Sequence, residues 1–525
     1  MDFPSGEDFK PKEPYTSRLR KILEEYPDGS QILREILQNS DDAQSTEQTF
    51  ILDFNKYPSN KLFKPQLNRY QGPALISKNT AIFEDDDFKS LLNLADSEKR
   101  KKFDKIGVMG IGFNSIYHIT DSPSFITGNK YVILDPHERH FNGGIQFDFV
   151  RQKLAEGFPD QFAPFRKILR CNRPFKEPFK GTIFRYPLRD STDSDISNKV
   201  YKPKEILDMF RKFYEHESIN CLLFLKYIEC ISFYVLRKGA DEPELLYKIR
   251  LENADQVRKQ RCLISESIAS MMNSTNSKEL VTSYVASFYR QKGDIKEPNS
   301  EWLILNYLDD LLDTKKNFSK IDLYKFIPNV GLAVPLKDFK NVIGRLFCFL
   351  PLPIYMPFPV SVHGYFAVST NRRSLWSPIE NEDLADDALA RIKAKWNQYL
   401  FENVLPKAWV KFLHELPHKV SNIQSDDLYK FWPIVKEGGT SGNIGIFCKD
   451  LLQNVTNCLN IEDRVFKGPF CDNWLSLSNG YLEDEKLFNF NISKIIANIG
   501  FPVISTLYPI IRVLKNSKHQ ESLKF

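Results

Sequence analysis

Apolar residues recur at helical spacing between residues 30 and 43, and this stretch is central to the chain. The apolar positions on one side of the helix are Ile32, Leu33, Ile36 and Leu37. Such spacing predicts an amphipathic helix with a buried stripe. A Pro27-Asp28-Gly29 turn precedes it, and Ser30 is of a residue type that can cap a helix start.

A second face of the same helix carries polar groups. Glu35, Asn39 and Asp42 stand at positions i, i+4 and i+7, so they lie beside the buried stripe. A carboxylate can orient or deprotonate a water, and an amide oxygen can join a Mg²⁺ shell. This pattern is also common on solvated helix faces, which is the alternative interpretation of the helix taken alone.

The flanking hydrophobic pattern predicts alternating helices and strands up to residue 190. Helices are expected over 14–26 and from 83 through Leu94, and a glycine loop over 106–121 is expected to open a third. Strands are expected at 50–54, 71–79, 124–126, 131–134, 144–149 and 182–186. This order predicts an α+β fold in which a mixed sheet is covered on one face by helices.

The composition shifts at residues 190–198, where serine and aspartate cluster, and this marks a first domain boundary. Helices are expected at 204–213, 256–272, 382–416 and 492–499, and strand-like segments at 221–236, 282–290, 302–307, 330–335, 345–351, 360–362 and 365–369. We therefore predict three domains, at 1–195, 196–380 and 381–525, of which the second is α/β and the third mainly helical.

Composition narrows the function classes. The 525 residues carry 72 basic and 67 acidic side chains, a net charge of +5, so no general case exists for a specific nucleic-acid partner or a membrane partner. The eight cysteines include no C-x-x-C pair, and we interpret them as reduced thiols. The beginning of the chain lacks the features of a signal peptide. The cytoplasm is the expected compartment, with the nucleus as the alternative.

Several motifs then follow in a characteristic order. They are Gln38-Asn39-Ser40-Asp41-Asp42-Ala43, Gly72-Pro73-Ala74-Leu75, the loop Gly110-Ile111-Gly112-Phe113-Asn114-Ser115-Ile116-Tyr117-His118, Leu134-Asp135-Pro136-His137 and the strand Gly181-Thr182-Ile183-Phe184. The order of a helix with Asn39, a strand that ends at Asn79, a G-x-x-G-x-G-F loop and a Gly-Thr strand resembles the GHKL ATPases. Their Bergerat fold is an α/β sandwich found in the ninety-kilodalton heat-shock chaperone, DNA gyrase, histidine kinases and MutL. The first four of the quoted motifs look like the signature of the sacsin subfamily. Segments 344–353 and 363–376 resemble sacsin repeats, which are similar to the chaperone's middle domain.

The resemblance implies roles for individual residues. Glu35 would be the general base that activates water, Asn39 the Mg²⁺ ligand, and Asp42 a supporting or adenine-side contact. Gly107, Gly110 and Gly112 would let backbone amides approach the phosphates of ATP, with a helix starting at Phe113. The G-x-x-G-x-G spacing matches neither the dinucleotide-binding fingerprint nor the P-loop. A tight turn before a helix is the alternative explanation for these glycines.

Asn79 departs from the wider GHKL pattern, which has an aspartate here followed by Gly-x-Gly. The asparagine carbonyl can still accept a hydrogen bond from adenine, and Thr182 could reach the same end of the base. The missing glycines, replaced by Thr80-Ala81-Ile82, leave affinity and turnover open. Thr182 could equally be a buried strand threonine.

Three further segments complete the expectations. Lys99, Arg100, Lys101 and Lys102 fall where this fold class has a nucleotide lid, although a solvated surface run is the alternative. Arg372 or Arg373 would contact the terminal phosphate, or would be solvated loop arginines. His414-Glu415-Leu416-Pro417-His418 matches H-E-x-x-H, but Pro417 is expected to end the helix there, which argues against zinc.

The leading hypothesis is a sacsin-type protein that binds ATP and Mg²⁺ and hydrolyses ATP slowly. Its lid closure would be coupled to binding of a protein client or co-chaperone. The rival hypothesis is a catalytically weak or inactive scaffold that recruits chaperones. A DNA-linked GHKL protein is a third class, and it would require a basic stripe that this near-neutral composition does not indicate.

Overall fold

The computed structural model describes residues 13–25, 28–92, 112–169, 175–273, 278–318, 326–337, 342–369, 372–377, 388–419, 425–435, 444–468, 473–482 and 492–524. The chain divides into two compact units. The first unit comprises Met1–Ser218, Tyr227–Ile249 and Gln291–Lys296, and the second comprises Ile219–Lys226, Arg250–Arg290 and Glu297–Phe525. The three-domain division at 195 and 380 stays a prediction.

Within its described residues, the first unit contains six helices, eight strands of the sheet described next and the two-residue strand Ile295–Lys296. The helices are α1 (Tyr15–Glu25), α2 (Ser30–Asp42), α3 (Asp85–Leu92), α4 (Leu154–Gly157), α5 (Pro159–Leu169) and α6 (Pro203–His216). The strands are β1 (Glu47–Asp53), β2 (Ala74–Asn79), β3 (Ser124–Gly128), β4 (Lys130–Asp135), β5 (Gly143–Asp148), β6 (Phe179–Pro187), β7 (Cys230–Leu236) and β8 (Glu244–Leu251). Two 3₁₀ helices, Pro65–Gln71 and Gly112–His118, complete the regular elements.

These eight strands form a mixed sheet in the order β8-β7-β1-β2-β6-β3-β4-β5. Strands β1 and β7 are parallel, whereas β1-β2, β2-β6, β6-β3, β3-β4 and β4-β5 are antiparallel. The central strands are rich in the β-branched and aromatic residues that suit a pleated, buried surface, as in the Thr-Ile-Phe-Arg-Tyr run of β6. The predicted α+β class and mixed sheet are confirmed.

Helices pack on both faces of this sheet, although the sequence predicted one. On one face, Phe210 of α6 packs against Phe50 of β1 and Phe233 of β7, with ring centroids 6.4 Å and 5.0 Å apart. On the other face, Phe162 of α5 packs 5.2 Å from the ring of Tyr131 in a separate apolar cluster. The phenylalanine spacing in α5 provides this second covering layer.

The second unit combines a mixed sheet with a helical layer. Its strands are β9 (Leu280–Lys292), β11 (Ser300–Leu308), β12 (Asn329–Pro335), β13 (Arg345–Cys348), β14 (Leu350–Tyr355) and β15 (Ser361–Gly364). The short β10 (Ile295–Lys296) pairs with Gln291 and Lys292 at the end of β9, and these residues belong to the first unit. The order is β14-β13-β15-β12-β11-β9. A single strand was predicted over 345–351, but Phe349, with φ of 65°, turns the chain into a hairpin between β13 and β14.

The helices of the second unit include a long helical stretch over residues 388–419. They are α7 (Ala254–Asn273), α8 (Leu311–Asn317), α9 (Ala388–Tyr399), α10 (Leu405–Lys419), α11 (Ser425–Leu428), α12 (Ile444–Cys448), α13 (Leu451–Cys458), α14 (Ile492–Asn498) and α15 (Tyr508–Lys515), with a π-helical turn, Leu400–Val404, joining α9 to α10. Short strands β16 (Phe466–Lys467) and β17 (Trp474–Leu475) form one pair, and β18 (Tyr481–Leu482) and β19 (Val503–Ile504) another. No helix in the described part of the chain is both long and apolar enough to cross a membrane.

Candidate nucleotide site

Helix α2 supplies the polar face that the sequence singled out. It begins at Ser30, with Gly29 at the N-cap in a conformation with φ of 77° and without a side-chain cap. The predicted apolar stripe is buried, but so are five polar residues of the helix, Glu35, Gln38, Ser40, Asp41 and Asp42. Buried carboxylates carry a large desolvation penalty unless partners or function compensate for it, so this helix is unlike an ordinary solvated face.

The Glu35 carboxylate is enclosed at the start of the 3₁₀ helix that follows the glycine loop. Only 3% of Glu35 is exposed. Its Oε1 accepts a hydrogen bond of 2.8 Å from Nε2 of Gln31, one turn earlier on α2. Its Oε2 approaches Gly112 so closely that a Cβ at position 112 would overlap the oxygen. The backbone of Gly112 therefore lies directly against the proposed base.

Asn39 and Asp42 follow Glu35 along α2. Asn39 is half-buried and Asp42 is buried. Both offer oxygen donors, the ligand type that Mg²⁺ prefers. In the part of the chain that the structure describes, no cluster of three or more His, Cys, Asp or Glu side chains could hold a metal ion. A Mg²⁺ at Asn39 would therefore need other oxygens, such as those of phosphates.

A row of buried polar residues crosses the sheet beside α2. The strand register places Gln48 of β1 opposite Asn79 of β2, Asn79 opposite Thr182 of β6, and Thr182 opposite Thr127 of β3. Because directly opposed residues point to the same face of a sheet, these four side chains share one face. All four are buried. Gln48 and Thr127 were not predicted as site residues, because their alignment with Asn79 and Thr182 depends on strand register.

Asn79 is held at both ends of its carboxamide. Its Nδ2 donates to Ser40 Oγ at 3.0 Å, and its Oδ1 accepts from the backbone N–H of Ala81 at 3.1 Å. Ser40 in turn donates to Gln48 Oε1 at 2.6 Å, and Gln48 Nε2 donates to the Thr49 carbonyl at 3.0 Å. This chain has a defined direction and fixes the amide orientation, so the turn after β2 is locked by side chains rather than left loose.

Thr182 closes a second hydrogen-bond chain at the same turn. Its hydroxyl donates to the Ala81 carbonyl at 2.7 Å and lies 2.8 Å from Thr127 Oγ1, which accepts from the Phe83 N–H at 3.0 Å. With Thr182 donating to Ala81, the Thr127 hydroxyl donates to Thr182. Thr182 thus positions the 79–83 turn, a structural task that accompanies any contact with a base.

Gly181 is a residue at this site whose role the sequence did not reveal. Its φ is 140°, and a Cβ there would lie 2.5 Å from the Asn79 carbonyl oxygen. Only glycine tolerates both the conformation and the close approach. The sequence shows a Gly181-Thr182 dipeptide near the beginning of β6. A dipeptide of this kind does not by itself predict a role for the glycine.

The glycine loop that we expect to face the phosphates lies within the described residues only from Gly112 onward. The predicted helix is a 3₁₀ helix over Gly112–His118, and the Phe113 ring packs 5.8 Å from that of Phe184 on β6. Burial raises the pKa of Tyr117, whose hydroxyl hydrogen-bonds with Tyr15 of α1. Gly107 and Gly110, and the four lid residues Lys99, Arg100, Lys101 and Lys102, lie outside the described residues.

Arg372 and Arg373 belong to the second unit. Arg372 adopts φ of 56°, and its N–H donates to the Ser369 carbonyl at 2.9 Å. The N–H of Arg373 donates to Ser369 Oγ at 3.3 Å, and the Arg373 side chain is exposed. Their contact with a phosphate stays a prediction.

The H-E-x-x-H segment lies within α10, because this helix continues through Pro417 to Lys419. The expectation that Pro417 ends the helix was wrong. Proline removes one backbone donor, and the helix continues for only two residues beyond Pro417. His414 Nε2 lies 3.1 Å from Asp463 Oδ1, which makes this histidine a partner of a carboxylate on a neighbouring segment.

Comparisons with known proteins match the first unit to a family. Residues 12–248 match the family model described as "Sacsin domain". The chain is also similar to human sacsin, with 30% identity over 503 residues that cover 90% of this chain. The chain spans 11% of the length of that relative. The similarity extends beyond residue 248 and therefore involves both units.

Proposed function

Starting from a sacsin-like chain that carries a Sacsin domain over residues 12–248, we propose that the first unit is a GHKL-type domain that binds ATP with Mg²⁺ and hydrolyses it slowly. The observation that carries this proposal is the buried Glu35 carboxylate against the backbone of Gly112. A Cβ on residue 112 would overlap the Glu35 carboxylate. Glycine at this position therefore allows the backbone to approach the carboxylate closely. Such an approach fits a site where phosphate groups meet a general base.

The residues around Glu35 fit this chemistry. Asn39 would hold Mg²⁺ together with phosphate oxygens of the nucleotide, and bound Mg²⁺ would neutralise phosphate charge. Gln31 donates to Oε1 of Glu35 at 2.8 Å, which holds the carboxylate in one orientation. A carboxylate fixed in this way would orient the attacking water and accept its proton, and phosphoryl transfer requires little more than positioning and charge neutralisation.

In this proposal the adenine ring of ATP lies near Asn79 and Thr182. Asp42 would be a supporting contact on the adenine side of the site. Asn79 Oδ1 already accepts from Ala81, and a carbonyl oxygen has a second lone pair for the adenine amino group. The whole-protein role that we propose is chaperone-like, with nucleotide state coupled to binding of a protein client or co-chaperone.

The test is steady-state ATP turnover by the purified chain and by Glu35→Gln, with Glu47→Gln as the matched control. Glu47 is an exposed carboxylate at the start of β1. We expect Glu35→Gln to lower turnover by about 10²- to 10⁴-fold, the usual contribution of a general base, while ATP affinity changes little. Glu47→Gln should leave both unchanged. Equal rates for the parent and Glu35→Gln would refute the role of Glu35.

The second candidate function is a scaffold that binds nucleotide weakly or not at all and recruits chaperones. It is favoured by the Asn79 turn, because both ends of its carboxamide are engaged within the chain. Calorimetric titration with ATP distinguishes the two functions. Binding without turnover, or no binding by a folded chain, would favour the scaffold.

A further inference from the structure

Arg189 is a buried arginine just beyond the end of β6, and its guanidinium donates hydrogen bonds to four backbone carbonyls. Nη2 donates to the Tyr117 carbonyl at 2.7 Å and the Thr120 carbonyl at 3.4 Å. Nη1 donates to the carbonyls of His118 at 3.1 Å and Lys199 at 2.6 Å. The arginine therefore binds the end of the 3₁₀ helix Gly112–His118 and the segment that follows β6.

The remaining guanidinium donor is paired with a buried carboxylate. Nε of Arg189 donates to Asp121 Oδ1 at 2.9 Å, and the Arg189 and Asp121 side chains are 0% and 4% exposed. Ser194 Oγ donates to the same Asp121 oxygen at 2.7 Å. All five N–H donors of the planar guanidinium thus have partners, an arrangement that a lysine with three donors on one atom cannot reproduce.

The helix that Arg189 binds has Glu35 at its other end. Gly112, its first residue, lies against the Glu35 carboxylate, whereas Tyr117 and His118, its last residues, are bound by Arg189. Carbonyls at the end of a helix lack intrahelical donors, so an external donor set determines how that end is held. A shift of this end would be transmitted to Gly112, because the segment between them is a single short helix.

We propose that Arg189 is a positioning residue that keeps Gly112 against Glu35 and so supports binding of the phosphate part of a nucleotide, but not of its nucleoside part. This inference rests on the proposed function. The base side is organised separately, because Asn79 and Thr182 are held by Ser40, Gln48 and Thr127, none of which contacts Arg189. The two halves of the nucleotide should therefore respond differently to a change at position 189.

Arg185 provides a matched control within the same segment. It is also a buried arginine that binds backbone carbonyls, but these are Tyr70 and Gly72, the latter at 2.6 Å, on the turn before β2. Arg185→Lys makes the same chemical change at a site remote from Gly112. A purely structural role of buried arginines would affect both variants alike.

The experiment is calorimetric titration of the full chain with two probes, Mg-ADP and adenosine, for the parent, Arg189→Lys, Arg185→Lys and Asp121→Asn. We expect Arg189→Lys to weaken Mg-ADP about tenfold, as loss of one or two hydrogen bonds would, and to leave adenosine within about twofold. Asp121→Asn keeps an acceptor for Nε of Arg189. It should lower the ratio of Mg-ADP affinity to adenosine affinity in the same direction as Arg189→Lys, by a smaller factor. Circular dichroism confirms that each variant is folded.

The outcomes separate the inference from the function on which it rests. Equal weakening of both probes by Arg189→Lys, or an unchanged ratio, would overturn the positioning role while the parent's nucleotide binding stands. The same ratio change in Arg185→Lys would also overturn it. A folded parent that binds neither probe would refute the proposed nucleotide function, and the inference would fall with it.

Discussion

Helix α2 in the first unit and helix α10 in the second have similar apolar spacing, but they bury different chemistry. Every buried residue of α10 is apolar, and these are Leu405, Pro406, Ala408, Trp409, Val410, Phe412, Leu413 and Leu416. In α2, five of the nine buried residues are polar or charged. An apolar helix face gains stability from burial alone, whereas buried polar groups require hydrogen bonds or a function to compensate for desolvation. The difference supports the proposal that α2 carries the functional site.

The largest effect on stability is expected at the apolar helix. Trp409 is fully buried, packs 5.0 Å from the Phe358 ring, and donates from Nε1 to the Phe431 carbonyl at 2.9 Å. We expect Trp409→Ala to lower the free energy of unfolding by about 3–5 kcal/mol, the range for large-to-small core substitutions. Trp409→Phe keeps most of the apolar area and should lose clearly less.

Tryptophan fluorescence measures this effect in the second unit alone. All six tryptophans lie there, at positions 302, 376, 396, 409, 432 and 474. Urea unfolding followed by fluorescence should show the shift for Trp409→Ala. A change below about 1 kcal/mol would show that α10 is not packed as the structure has it, because such a value is typical of surface substitutions.

A smaller effect of different origin is expected at Asp41 in α2. Its Oδ1 accepts from the N–H groups of Tyr227 and Ile228, at 2.8 Å and 3.0 Å, just before β7. Asp41→Ala would leave one buried and one partly buried N–H donor without this acceptor, and we expect a loss of about 2–3 kcal/mol in unfolding free energy. Asp41→Asn keeps a carbonyl oxygen and should recover part of that loss.

Circular dichroism and hydrogen exchange test this prediction, because the first unit contains no tryptophan. The amides of Tyr227 and Ile228 should exchange faster in Asp41→Ala than in the parent. Unchanged exchange at both amides would show that the carboxylate is not their acceptor. It would also remove one structural reason for the polar burial in α2.

The contrast between the helices explains how much the sequence could predict. The period of Ile32, Leu33, Ile36 and Leu37 predicted the helix and its buried stripe, because period depends only on local geometry. The α+β class and the mixed sheet followed from the order of elements. The buried polar row around Asn79 did not, since Gln48 lies opposite Asn79, and Thr127 opposite Thr182, only through strand register. Likewise, Arg189 meets Tyr117 and His118 across 71 or 72 positions of sequence, so no local pattern indicates it.

The smallest predicted effect is at His363, a buried polar residue of the second unit. His363 of β15 is buried, stacks on the Phe224 ring at 5.0 Å, and accepts from the Phe349 N–H at its Nδ1 at 3.2 Å. Burial, with the nearby Lys226 charge as a further cause, lowers the pKa of His363 to about 3. The folded state therefore keeps this imidazole neutral where the unfolded chain would protonate it.

The sign of the pH effect follows from linkage. A folded-state pKa below the unfolded value of 6.5 means that the unfolded chain binds more protons, so stability falls as pH decreases below 6.5. Between pH 7.5 and 5.5 the parent should lose about 1.4 kcal/mol through this residue, the equivalent of one pH unit below the unfolded pKa. His363→Gln keeps an acceptor for Phe349 and removes the titration, so it should lose about that much less over the same interval. Fluorescence-monitored urea unfolding at both pH values measures the difference, and identical pH dependence of parent and variant would show that folding does not lower the pKa of His363. The result would establish whether the second unit buries His363 as a neutral ring, in keeping with the apolar burial of α10.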